Sequence, residues 1–232
     1  MRHLPARAGA PLRCLPRVRA AARNAEAPPP PRAPQEERFR EQLAIAQGES
    51  TAEFDALECA QLRGADLQGR RILVLSGAKL PAFDKIDRNR FARFIYKKLA
   101  LIAHAPFIVV YFHTDVTEAN RPGASWLWNA FEVLPETVQE HLEAMYVVHP
   151  MATLRGTLAI LPFWIFTPFS GGGLSHKIHY LDRLELLWEH AEPAEVQVPA
   201  YVVKYDEDLA ESRAKPEPRA RVKAERLEAT EA

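Results

Sequence analysis

Few residues in this sequence stand at spacings that support catalysis. Gly171-Gly172-Gly173-Leu174-Ser175-His176-Lys177 is a glycine run followed by a lysine. A phosphate-binding loop also needs a Ser or Thr after the lysine and a helix opening behind it, because backbone N–H groups and the hydroxyl together hold phosphate and Mg2+. Here Ile178 follows Lys177, and the run leads into a strand-like segment, so phosphate-loop chemistry is excluded. His113, His149 and His179 each stand in or at the end of an apolar run. No acidic residue or second histidine accompanies them at ligand spacing, so they are expected to be satisfied interior histidines and not zinc ligands. Ser76 is read in Val74-Leu75-Ser76-Gly77-Ala78, which lacks the strained G-x-S-x-G turn of a hydrolase nucleophile. The two cysteines, Cys14 and Cys59, have no metal-type or disulfide-framework spacing. The residues predict a chain with no catalytic centre, metal or cofactor.

One segment does carry a chemical signal, of an apolar kind. Gly156 to Ser175 contains no charged residue. A membrane span needs about 20 apolar residues, but Pro162 and Pro168 interrupt this run and the triple glycine ends it. It suits a buried helix followed by an apolar flap that covers a lipid cavity or touches a membrane surface. It equally suits a plain core helix.

The elements that would position such a flap alternate along the chain. Phe39, Leu43, Ala46, Phe54 and Leu57 predict short helices broken near Gly48. Leu67-Gln68-Gly69-Arg70 reads as a turn, and Ile72-Leu73-Val74-Leu75 as a strand buried on both faces. Asp87 is placed to cap a helix with Phe91, Phe94, Ile95, Leu99 and Ile102 on one stripe, Arg93 and Lys97 facing away. Phe107-Ile108-Val109-Val110-Tyr111-Phe112 is the strongest strand, and its unbroken apolar run predicts a central one. Asn120-Arg121-Pro122-Gly123 is a turn. Leu127, Ala130, Phe131, Leu134, Val138 and Leu142 mark a helical face that Pro135 splits in two. Ala144 to Val148 and Lys177 to Leu181 are two further strands. A helix is expected from about Met151, and another through Leu184, Leu187 and Trp188. Strands alternating with helices predict right-handed crossovers and a mostly parallel sheet.

Composition bounds the partners. Lys+Arg and Asp+Glu both total 30, so no general attraction to nucleic acid is expected. The cysteine usage suits a reducing compartment. Residues 1–34 are read as an Arg- and Pro-rich extension: from Met1 to Ala25 there are six arginines and no acid. Lacking an apolar core, this is no secretory signal. It predicts either a disordered basic tail of a cytoplasmic protein or a transit peptide for chloroplast or mitochondrion. Residues 35–209 form the folded domain. Residues 210–232 are highly charged and are expected to be disordered or a loose solvated helix.

Several segments are familiar in order and spacing. Asp66-Leu67-Gln68-Gly69-Arg70-Arg71-Ile72-Leu73-Val74 resembles the D-x-x-G-R-hydrophobic lead-in to the sheet of CRAL-TRIO domains. Ala119-Asn120-Arg121-Pro122 with Trp126-Leu127, and Ala144-Met145-Tyr146-Val147-Val148-His149-Pro150, resemble the N-[RK]-P … W-L and L-Y-I-V-H-P segments of the divergent BCH branch. His176-Lys177-Ile178-His179-Tyr180-Leu181, Val198-Pro199 and Lys204-Tyr205-Asp206 are similar to that branch's K-I-x-Y-[VL] … I-P … K-Y-D ending. The resemblance spans about Leu62 to Leu209. It implies an α/β fold of CRAL-TRIO type, a mostly parallel sheet flanked by helices, with short N-terminal helices. It also implies a non-enzymatic domain with an apolar pocket for phospholipids, tocopherol or retinoids. BCH members also dock small Rho-type GTPases and their regulators, and some sit beside a GTPase-activating or macro domain, for which this sequence has no room.

Two readings follow. In the first, the domain binds, transfers or senses a hydrophobic ligand such as a phospholipid, with transient contact to a membrane surface. Phe107, Val109, Tyr111, Tyr146 and Val148 would form the pocket floor, since alternate strand residues share a face. Leu161, Phe163, Phe166 and Phe169 would form the lid. By resemblance to phosphatidylinositol-transfer members, Glu140 and Lys177 would meet an inositol headgroup, although Leu161 replaces the family's basic residue before the proline. In the second, the domain is a docking scaffold for a small GTPase or its regulator. Trp126 and Trp128, two residues apart on a helix, cannot both face the core, and the outward one would be the anchor.

Overall fold

The computed structural model describes residues 34–151 and 174–214. Five strands form one sheet in the order β1 to β5: β1 Ala60–Ala65, β2 Arg71–Ser76, β3 Phe107–Phe112, β4 Leu142–Val148 and β5 Ile178–Leu181. Strands β2 to β5 are parallel, and β1 pairs antiparallel at one edge. β3 is central, as its unbroken apolar run requires: Ile108, Val110 and Phe112 are fully buried. β1 was not legible as a strand, because Ala60-Gln61-Leu62-Arg63-Gly64-Ala65 has weak β propensity and no clean alternation. It forms because the tight turn at Asp66–Arg70 folds it back onto β2. Asp66 holds that turn, accepting hydrogen bonds from the N–H groups of Gln68 (3.0 Å) and Arg70 (2.8 Å) and from the Arg70 guanidinium. Gly69 supplies the positive φ of 78°.

Helices α1 Gln35–Gln47 and α2 Ala52–Leu57 come first, broken at Gly48. α3 spans Arg88–Ile102 and is capped by Asp87, whose carboxylate accepts from the N–H groups of Asn89 and Arg90. Arg93 and Lys97 do not face solvent alone. They reach α1 and the turn after it, where Arg93 Nε donates to Glu49 at 2.7 Å and Lys97 to the Ala46 carbonyl. Pro135 separates α4 Ala124–Glu132 from α5 Glu136–His141, and Leu142 belongs to β4, not to the helix before it.

After β5 the chain forms a 3-10 helix at Leu184–Glu189, then α6 Pro193–Val196 and α7 Ala200–Ala214. The helix expected from Met151 lies outside the described residues. Among the described residues, no helix is long and apolar enough to cross a membrane.

The sheet buries both faces. On one, Ile72, Val74, Ile108, Val110, Phe112, Ala144, Tyr146 and Val148 pack against Leu184, Leu187, Val196 and Val202 of the C-terminal segment. On the other, Leu73, Phe107, Val109 and Leu142 meet Leu99 and Ile102 of α3 and Val138 of α5.

Candidate functional site

The face under the C-terminal segment holds a continuous cluster of buried apolar residues. The face under α3, α4 and α5 holds a partly open cavity of about 280 Å3. Its floor is the sheet: Leu73 and Leu75 of β2, Phe107, Val109 and Tyr111 of β3, and Met145 of β4. Its walls are Ile95 and Leu99 of α3, Val138 of α5, and Trp126, Leu127, Ala130 and Phe131 of α4. Its lining is almost wholly apolar, and among the described residues that line it Arg121 is the one charged side chain.

α4 explains why the space exists. Its sequence, ASWLWNAFE, is strongly apolar, yet none of its residues is fully buried. An apolar helix ordinarily buries its stripe against a core. This one is held at its edges instead. Tyr96 Oη donates to the Ala130 carbonyl at 2.8 Å, Arg38 donates to the Glu132 carbonyl at 3.0 Å, and Trp126 Nε1 donates to the Arg88 carbonyl at 3.3 Å. Trp126 also stacks on Phe91 and meets Phe83 edge-on, with centroids 5.7 and 5.0 Å apart. These ties suspend α4 over the sheet without closing the gap beneath its middle.

The structure divides the expected floor residues. Phe107, Val109 and Tyr111 line the cavity together. Tyr146 and Val148 do not: they point to the opposite face, where Tyr146 stacks between His179 and His190 at 5.3 and 4.5 Å. The β4 residue beside Val109 is Met145. A register shift between Phe107 and Ile108 sets this phase, since Phe107 pairs with Leu142 but Ile108 with Ala144. Leu161, Phe163, Phe166 and Phe169 lie outside the described residues. Lys177 and Glu140 do meet, but through backbone: the Lys177 ammonium donates to the carbonyls of Gln139 (3.2 Å) and Glu140 (3.0 Å) at the end of α5. The Glu140 carboxylate is exposed to solvent. Of the two tryptophans, Trp126 turns inward, while Trp128 is half-buried and does not line the cavity.

The cavity residues that sequence reasoning did not assign to a pocket are Leu127, Ala130 and Phe131 of α4, Met145 of β4, and Arg121, Ser76 and Gly77 at the cavity's end. A helix with two tryptophans, a leucine and a phenylalanine in nine residues was the available signal.

Polar side chains gather at the carboxyl ends of the strands. His149 has a left-handed backbone, φ 52°, and its ring bridges two partners. Nε2 lies 3.0 Å from Asp206 Oδ1, which can only accept, so Nε2 carries the proton and donates. Nδ1 lies 2.8 Å from the Thr114 hydroxyl, from which it accepts when the ring is neutral. Asp206 Oδ1 also accepts from Arg183 Nε (3.1 Å) and the Leu184 N–H (2.9 Å). Burial pushes the Asp206 carboxyl up, and the bonds from Leu184, His149 and Arg183 more than offset it, holding it below its usual range. None of Thr114, His149 and Asp206 lines the cavity. The arrangement clips α7 to β3 and β4.

His113 differs from the satisfied interior histidine expected. Its Nδ1 lies 3.1 Å from Tyr111 Oη, but its buried Nε2 has no hydrogen-bond partner. Burial, and the positive charge of Arg121 after it, push its pKa down to about 4. His179 is exposed. No group of three or more metal-ligating side chains occurs among the described residues.

Comparison with known proteins agrees with this architecture. The chain is 30% identical over 171 residues to the GDAP2 homolog of Drosophila melanogaster, covering 74% of this chain and 31% of that protein. It is 31% identical over 150 residues to Rho GTPase-activating protein 8 of Mus musculus, covering 64% of this chain and 34% of that protein. It is 29% identical over 164 residues to ganglioside-induced differentiation-associated protein 2 of Xenopus tropicalis, covering 71% and 32%. The chain thus spans about a third of the length of these relatives. The family model described as a divergent CRAL/TRIO domain matches residues 69–208, which run from the turn before β2 into α7, and the chain belongs to that family.

Proposed function

We propose that this domain holds a hydrophobic ligand in the cavity between the sheet and α3, α4 and α5. The observation that carries the reading is the unfilled apolar space beneath a helix with no fully buried residue. Protein interiors ordinarily pack to crystal density, and apolar gaps large enough to matter are few. At about 280 Å3 the space stands at the lower edge of the range for ligand pockets, roughly 300–1,000 Å3. That favours a ligand smaller than a diacyl phospholipid. Native mass spectrometry of the gently purified chain tests the idea, beside an Ala130→Phe variant that occupies the space from α4. A co-purifying apolar molecule, absent from the folded variant, is the expected result. A wild-type chain that carries nothing, even after incubation with mixed lipid extract, would defeat it.

A second reading, docking of a small GTPase or its regulator, draws on Trp128, which stands on α4 outside the cavity. The name of the mouse relative points the same way. Under this reading Trp128→Ala abolishes capture of a Rho-type GTPase while leaving any bound lipid in place. Unchanged capture counts against it.

A further inference from the structure

The cavity has two unlike ends. At the amino ends of β3, β4 and β5 it is lined by Phe107, Gln139, Leu142 and Ile178. At the carboxyl ends of β2 and β3 it is lined by Ser76, Gly77, Tyr111 and Arg121. From Phe107 to Tyr111 is four residues of extended strand, about 13 Å. The basic residue near the first end, Lys177, is committed to two backbone carbonyls. The basic residue at the second end is not. Arg121 has one ion-pair partner, Glu118, at 3.6 Å, and the Glu118 side chain is 89% exposed. Such a surface pair contributes little and holds neither group firmly. Arg121 and Tyr111 line this end of the cavity together. His113, just past the end of β3, keeps an unpartnered Nε2 on a side chain that is 1% exposed, and it does not itself line the cavity. A buried polar atom with no partner calls for an explanation. In open α/β sheets, ligand headgroups bind beyond the carboxyl ends of the strands.

We infer that the ligand is a single-chain carboxylic acid of about ten carbons, its carboxylate held by Arg121 at the carboxyl ends of β2 and β3 and its tail lying along β3 toward Gln139 and Ile178. This rests on the ligand-cavity reading above and specifies the ligand. The length follows from the span between the two ends of the cavity, about 13 Å along β3, which an extended chain of about ten carbons covers. The head follows from the donor set. A guanidinium offers a planar fork of N–H donors that matches a carboxylate, and an apolar surround strengthens the pair. An uncharged alcohol of the same length makes the same tail contacts and cannot make the charged one.

Isothermal titration of the full chain, stripped of lipid, with decanoate and with decan-1-ol at pH 7.5 separates the possibilities. Decanoate is expected to bind at least about tenfold tighter than decan-1-ol. Arg121→Gln should bring decanoate down to the level of the alcohol and leave alcohol binding unchanged. Arg121 is a partly exposed turn residue, so the variant should fold, which circular dichroism checks. Equal binding of acid and alcohol by the wild type, or equal weakening of both by Arg121→Gln, overturns the carboxylate assignment while leaving the ligand cavity standing. Binding of neither molecule by a folded, stripped chain overturns both.

Discussion

Asp206→Ala should destabilise the fold more than its position on a surface helix suggests. The Asp206 side chain is only 13% exposed, and its Oδ1 serves three donors from separate parts of the chain. Removing the carboxylate strands them unequally. Arg183 is 22% exposed and retains Glu185 at 3.8 Å, so it loses little. The Leu184 N–H and the His149 Nε2–H lose their acceptor where water enters poorly, at about 1–3 kcal/mol each. His149 also loses one of the two partners that fix it at its positive φ. The two stranded donors together cost about 2–6 kcal/mol, a large part of the 5–15 kcal/mol typical of a domain. For a domain of this size it lowers Tm by roughly 10 °C. Asp206→Asn, which keeps an oxygen for Leu184, should lose about half as much.

The pH dependence has a definite sign. The folded carboxyl is held below its unfolded value, so its contribution is present above the unfolded pKa, about 3.9, and is lost as pH falls through the folded pKa. The gap between wild type and Asp206→Ala should therefore be full at pH 6 and narrow as pH falls below about 4. Thermal unfolding followed by circular dichroism, repeated across that range, is the assay. A Tm shift under 2 °C at pH 6, or a gap that does not narrow in acid, would refute the clip as a structural element.

Three further outcomes are expected. Gly77→Ala should weaken the cavity wall, because an added Cβ would stand 2.5 Å from Val116 Cγ2 and 2.7 Å from Tyr111 Oη, costing about 1–3 kcal/mol as an overpacked site in urea unfolding. Asp66→Ala should cost about 3–5 kcal/mol by the same measurement, since the carboxylate is fully buried against Arg70 and two backbone N–H groups, and an unchanged urea midpoint would show that the turn does not depend on it. Burial pushes the Cys59 thiol up to about 11, so Cys59 should resist a thiol reagent at pH 8 in the native state and react fully in denaturant; rapid native labelling would contradict its burial.

Much of the fold was legible in the sequence for local reasons. Asp87 before an amphipathic run is a cap wherever it occurs, and Pro135 divides a helix whatever surrounds it. An unbroken apolar run such as Phe107 to Phe112 fits best in the middle of a sheet. The ordered motifs from Asp66 to Asp206 indicated the family without any contact being known. The phase of β4 was another matter. A strand buried on both faces has no apolar–polar alternation, so Met145 and Tyr146 look equally suited to the cavity floor. Only pairing with β3, with its register shift after Phe107, turns Met145 toward the space and Tyr146 away. β1 likewise exists because β2 lies beside it, not because its residues prefer a strand. The suspension of α4 above the sheet depends on three long-range hydrogen bonds, from Arg38, Tyr96 and Trp126, that no local pattern announces. Sequence determined which segments are apolar enough to be buried. The tertiary structure decided which of them meet and leave a gap, because packing depends on register and tether length, which periodicity does not encode.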